Sequence, residues 1–121
     1  MQHLIIDFTS DRNLLGDIKV VTQFLKSACS ILGMEELDTR VYEVNDENPG
    51  VTGFMVITTS HITIHTFTSQ GEAWVDILSC KPFTEGGILG VIQRIFSPAT
   101  IGYKAVSRSP IKLNEVSDGK S

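Results

Sequence analysis

Residues 57–67 read Ile57-Thr-Thr-Ser-His-Ile-Thr-Ile-His-Thr-Phe67, a segment that puts two histidines and five hydroxyl side chains into eleven positions. It also alternates with a period of two. His61, Thr63, His65 and Phe67 share one face of an extended chain, and Ile62 and Ile64 share the other. The isoleucines are fitted to pack under helices, which leaves the histidine face pointing away from the core. A strand with one apolar and one polar face belongs to an antiparallel sheet that is covered on one side.

The same pattern extends in both directions. Val51 to Thr58 and Ala73 to Ser79 read as flanking strands, with "NDENPG" (Asn45 to Gly50) as a turn before the first and "TSQGE" as a hairpin-like loop before the second. Leu37 to Val44 is a further strand, and Gln2 to Phe8 the first of the chain. Between them, Leu14, Ile18, Val21, Leu25, Cys29 and Leu32 recur at three- and four-residue spacing. That spacing predicts an amphipathic helix over Leu14 to Leu32, capped by Asp11 or Asn13 and stopped by Gly33. After Pro82, Thr84 caps a second helix over Ile88 to Phe96, and Thr100 to Arg108 forms a last strand. The polar tail "SPIKLNEVSDGKS" is expected to fray. The order β-α-β-β-β-β-α-β predicts an α+β fold: a two-layer α/β sandwich, mostly antiparallel, with helices on one face of the sheet.

Length and composition bound the function. The 121 residues are one domain's worth (1–121), 41% hydrophobic and 20% charged. A net charge of −4 argues against a nucleic-acid partner. No run approaches the roughly 18 apolar residues of a membrane span, and no secretory signal is visible in "MQHLIIDFTSD". Two cysteines, Cys29 and Cys80, form neither a disulfide framework nor a metal motif, and the simplest setting is the cytoplasm. Cys29 lies on the apolar side of the predicted helix and reads as core.

The histidine face admits a plain solvated reading. A metal site is rejected, because His61 and His65 lie roughly 13 Å apart on a strand and no third ligand has suitable spacing. Ser60 has a sharper use. A serine at a strand junction can attack the carbonyl of the residue before it, if the peptide is strained and a base is close.

That setting has a family resemblance. "GVTGFMVITTSHITIHTF", followed by "AWVDILSC" with its cysteine twenty residues after the serine, resembles the prokaryotic S-adenosylmethionine decarboxylases. Those proteins carry Gly-Val-Ser-Gly, then Glu-Ser-His-Ile-Ser-Ile-His-Thr-Trp, then Thr-Cys-Gly. "HLIIDF" and the following helix are similar too, so the resemblance spans most of residues 1 to 107. It implies a proenzyme in which Ser60 attacks the Thr59 carbonyl, yielding a β chain of 1–59 and an α chain of 60–121. Ser60 becomes a pyruvoyl group that forms a Schiff base with substrate. The resemblance further assigns His65 and Thr52 to processing, Cys80 to proton return, and Phe67 and Ser69 to the substrate loop. It implies a homodimer of four layers with sites near its interface. No metal is implied.

Three positions depart from the family pattern. Thr59 stands in place of glutamate, Phe67 in place of tryptophan, and Thr68-Ser69 in place of Pro-Glu. The last removes a carboxylate suited to paired ribose hydroxyls, which Asp46, Glu47 or Glu72 would have to replace. The implied function is pyruvoyl-dependent decarboxylation in polyamine biosynthesis, with S-adenosylmethionine as first substrate. L-ornithine or L-arginine decarboxylation by the same chemistry is the alternative. An unprocessed, non-catalytic regulatory partner is a second alternative, which Thr59 motivates.

Overall fold

The computed structural model describes residues 1–110 and, as backbone, 113–120. Its strands are β1 (Gln2–Thr9), β2 (Glu36–Val44), β3 (Gly50–Ile57), β4 (Ser60–Phe67), β5 (Glu72–Ser79), β6 (Thr100–Arg108) and β7 (Leu113–Lys120). The helices are α1 (Arg12–Leu15), α2 (Ile18–Leu32) and α3 (Glu85–Phe96). The strands form one sheet in the order β2-β3-β4-β5-β1-β6-β7, and every neighbouring pair is antiparallel. The expected two-layer α+β arrangement is the one the chain adopts.

Period-two alternation fixes which face each strand buries. Ile62, Ile64 and Thr66 of β4 are buried toward the helices, while His61, Thr63 and His65 face the other way. Leu4, Ile6 and Phe8 of β1 and Ala73, Val75 and Ile77 of β5 join the same core. α2 lays Val21, Phe24, Leu25 and Ala28 onto it, and α3 adds Ile88, Val91, Ile92 and Phe96. Phe96 sits at the helix junction, its ring centroid 5.1 Å from that of Phe8 and 5.9 Å from that of Phe24. The opposite face of the sheet is uncovered and carries exposed Ile5, Phe54, Val56 and Trp74.

Three expectations require correction. The helix predicted over Leu14 to Leu32 is two helices. The chain breaks at Gly16, and Asp17 caps α2 by accepting a hydrogen bond from the Lys19 backbone N–H. Asp11, not Asn13, caps α1, and it accepts from the N–H of Asn13. α3 starts three residues earlier than Ile88, and Gly86 and Gly87 lie inside it. A Cβ on Gly87 would come within 3.0 Å of Ile31 on α2, so its absence permits close helix packing. Thr84 is at the N-cap position but its hydroxyl makes no cap hydrogen bond. Finally, the tail expected to fray supplies β7, which pairs with β6 from Gly102↔Lys120 to Arg108↔Leu113. A polar strand held through its backbone gives no hydrophobic signal, yet it satisfies the otherwise free edge of β6. Ile111, Lys112 and Ser121 of that tail lie outside the described residues.

Thr66 locks the turn end of β4. Its buried hydroxyl accepts from the Val51 N–H at 2.8 Å and donates to the Leu15 carbonyl at 2.7 Å, tying β3, β4 and α1 together. Gly50 runs so close to β4 there that an added Cβ would meet the Thr66 carbonyl oxygen at 1.8 Å. Thr66→Val preserves shape and strands both backbone groups, so it is expected to lower unfolding free energy by about 1–3 kcal/mol in urea titrations. Unchanged stability would mean that water replaces the hydroxyl.

Candidate active site

At one end of the sheet, Thr58 and Thr59 form the turn between β3 and β4, and Ile57↔Ser60 is the last residue pair before it. The turn is strapped down. Both the backbone N–H and the hydroxyl of Thr58 donate to the Glu35 carbonyl, at 3.1 and 3.2 Å. Alongside, β5 ends in Ser79, whose buried hydroxyl donates to the Lys81 carbonyl at 2.7 Å and accepts from the Lys81 N–H at 3.1 Å. This tight turn projects Cys80 outward.

Thr59, Ser60 and Cys80 thereby meet. The Cys80 N–H donates to Ser60 Oγ at 2.9 Å, and the Cys80 thiol touches Thr59 Oγ1 at 2.6 Å. Met34, in the loop between α2 and β2, places Sδ 3.7 Å from Ser60 Oγ and 3.8 Å from Cys80 Sγ. Lys81 Nζ donates to the Gly33 carbonyl at 3.2 Å, so Gly33, Met34 and Glu35 each grip one segment of the cluster. Ser60 is only 7% exposed, whereas Cys80 is open to solvent. The hydroxyls of Thr59 and then Ser60 hold the Cys80 thiol below its ordinary pKa, with a smaller contribution from the Lys81 charge. A cavity of about 300 Å³ opens beside it, lined by Met1, Gln2, Cys80, Lys81, Pro82 and Ser107. Cys29, by contrast, is buried as expected, and its thiol donates to the Met34 carbonyl.

Thr52 and His65 meet elsewhere. They are register partners on β3 and β4, with Thr52 Oγ1 3.1 Å from His65 Nδ1. Both line a cavity of about 260 Å³ together with Asp46, Asn48 and Phe67. Asp46 accepts from the Asn48 N–H, which turns its carboxylate into the loop before β3. Ser69 is exposed in the turn past β4, and Glu47 is exposed as well. Glu72 lines a separate cavity of about 230 Å³ with Asp7 and Trp74, where burial and the Glu72 charge push the Asp7 carboxyl up.

The two groups of residues are not neighbours within one chain. Five residues of strand separate Ser60 from His65, about 17 Å along the backbone. They also occupy opposite faces, Ser60 toward the helices and His65 on the open side. Within one chain, Ser60 at the start of β4 therefore has the Cys80 turn and Met34 beside it, and the Thr52–His65 pair lies apart. The seven side chains singled out from the sequence, Thr52, Thr59, Ser60, His65, Phe67, Ser69 and Cys80, lie on β3, β4 or the turns beside β4 and β5, and Met34 is not among them. The Gly33 stop signal marked the loop, but the contact arises only from tertiary packing.

The chain is similar to known proteins over most of its length. A family model described as S-adenosylmethionine decarboxylase matches residues 2–109. An S-adenosylmethionine decarboxylase proenzyme from Saccharolobus islandicus (strain L.S.2.15 / Lassen #1) is 36% identical over 77 residues, covering 64% of this chain and 61% of that protein. One from Thermoanaerobacter sp. (strain X514) is 30% identical over 80 residues, covering 65% and 63%. The matched part thus spans about three fifths of the length of these curated relatives. The crystal structure of the adenosylmethionine decarboxylase from Aquifex aeolicus VF5 superposes with a TM-score of 0.76 at 20% identity, over 92% of each chain. The Trypanosoma brucei AdoMetDC-delta26 monomer superposes with a TM-score of 0.58 at 13% identity, over 87% of this chain and 45% of that one, so both share the fold. With a family match running from β1 through β6, this chain belongs to the S-adenosylmethionine decarboxylase family.

Proposed function

We propose that the chain cuts itself between Thr59 and Ser60 and matures into a pyruvoyl-dependent decarboxylase with S-adenosylmethionine as its substrate. The observation that carries this reading is the cluster in which Ser60 Oγ, enclosed at a strapped turn, accepts the Cys80 N–H while Cys80 touches Thr59. Ser60 Oγ attacks the Thr59 carbonyl, the peptide C–N bond breaks, and an ester forms. Removal of the Ser60 α-proton expels the Thr59 carboxylate from the β-carbon. Addition of one water and loss of ammonia then leave a ketone at position 60.

The surroundings of Ser60 fit such a group. Its side chain is shut in against the Met34 thioether, so the methyl that remains after the oxygen departs keeps an apolar neighbour. A pyruvoyl group supplies a ketone that condenses with a substrate amine and draws off the electrons left when carbon dioxide departs. The protein's remaining tasks are its own. Cys80 returns a proton to the substrate carbon from beside position 60. Asp46 and Phe67 receive the distal part of the substrate in the cavity they share with His65.

His65 and Thr52 serve processing from a second copy. On one chain they lie too far from Ser60, and the uncovered sheet face carries the exposed apolar side chains that a face-to-face partner would bury. Two sheets packed this way make a four-layer homodimer. A two-fold axis across β4 then carries the His65 end of each copy toward the Ser60 end of the other.

The departures at Phe67 and Thr68-Ser69 favour a second reading of substrate, L-ornithine or L-arginine, for which one carboxylate at Asp46 suffices. Carbon dioxide release from the three compounds separates the readings, and faster turnover of either amino acid would replace the substrate while keeping the mechanism. Asp46→Asn is expected to raise the Michaelis constant about ten- to a hundredfold, the loss from one charge-assisted pair of hydrogen bonds. Cys80→Ala should still cut but lose on the order of a hundredfold in turnover per cut chain. Co-expression tests the shared site. His65→Ala and Ser60→Ala chains should each stay whole alone, and the His65→Ala chain should be cut when the two are mixed. Cutting of His65→Ala alone at the normal rate would remove His65 from processing, and failure of the mixture would remove the second copy.

A further inference from the structure

Thr59 does more than lose its peptide bond. Its surroundings assign it more. Its hydroxyl touches the Cys80 thiol, and its carbonyl carbon lies two bonds from the carbon that bears that hydroxyl. Building on the self-cleavage reading, we propose that Thr59 is a positioning residue for Cys80 in both states of the protein, and that the carboxylate created on Thr59 by cleavage keeps the proton on the Cys80 thiol. Cleavage would thus prepare the acid that the mature site requires.

The geometry supports a cut end that stays in place. Thr58 remains held to the Glu35 carbonyl through two hydrogen bonds, neither of which involves the bond that breaks. The new carboxylate therefore remains within about 6 Å of the thiol, the range over which one charge alters another's ionisation. Before cleavage, Thr59 and Ser60 offer Cys80 hydroxyl contacts, and these favour thiolate. After it the Ser60 oxygen has left in the Thr59 carboxylate, and a negative charge has been added beside the sulfur. Both changes favour thiol. The charged groups facing Cys80 are few. Lys81 adjoins it in sequence but directs its ammonium to the Gly33 carbonyl, and Met1, just before β1, lines the same cavity while its α-amino group donates to the Arg108 carbonyl. The α2–β2 loop contributes Met34, which is neutral. Neither cation is displaced by cleavage.

The test is the pH dependence of Cys80 alkylation by iodoacetamide, read by peptide mass so that buried Cys29 is scored separately. Cut wild-type protein is compared with uncut Ser60→Ala. Both lack the Ser60 hydroxyl, and they differ in charge only by the carboxylate on Thr59. The cut protein should show a higher midpoint and, near neutral pH, alkylation about threefold or more slower. Adding Thr59→Val to the Ser60→Ala chain removes the hydroxyl and should slow alkylation of the uncut form. Equal or faster alkylation of the cut protein overturns the inference alone. A wild-type chain that stays whole overturns the inference together with the self-cleavage reading beneath it.

Discussion

Ser60 and His65 stand an odd number of residues apart on β4, and the pleat of a strand sends such residues to opposite faces. Much of the chemistry follows from that parity. The even positions go under α2 and α3, which buries Ser60 at the strand's beginning and gives its side chain an apolar neighbour in Met34. The odd positions stay on the open face, where His65 can pair with Thr52 across to β3. A one-residue slip in register would exchange these roles and put Ile62 and Ile64 in water. The hydrophobic demand of the core and the placement of the reactive groups are thus set by one constraint.

A second feature holds the reactive turn. Three successive residues, Gly33, Met34 and Glu35, contact Lys81, the Ser60–Cys80 pair and Thr58. The left-handed conformation of Gly33 at φ 66° ends α2 and aims this loop at the turn. A scissile bond in an unrestrained turn would separate its ends once cut. Here Thr58 is tied to the α2–β2 loop and the strand that follows is paired into the sheet. The proposed cut would leave the fold standing, because the hydrogen-bond ladders on either side do not pass through the Thr59–Ser60 bond.

Much of this was legible in the residues. The alternation of β4 and its flanking strands told faces apart, and Leu14 to Leu32 disclosed a helical face even though Gly16 and Asp17 divide it. Ser60 and His65 can be located on β4, and Cys80 just past the end of β5, by counting. What escaped was whatever depends on contact between distant segments. Met34 carries no local mark of its position between Ser60 Oγ and Cys80 Sγ. β7 has too few apolar residues to announce a strand, since its pairing with β6 is a backbone matter. The gap between the His65 and Ser60 groups was available from strand geometry at about 17 Å, but it acquires meaning only once the open face of the sheet is seen.

Whether the Thr59–Ser60 bond cuts itself is read most directly from the intact mass of the purified protein under denaturing conditions. Two chains are expected, one ending at Thr59 with a free carboxylate and one beginning at position 60 with a ketone in place of an amine. A single full-length chain persisting through prolonged incubation would contradict self-cleavage.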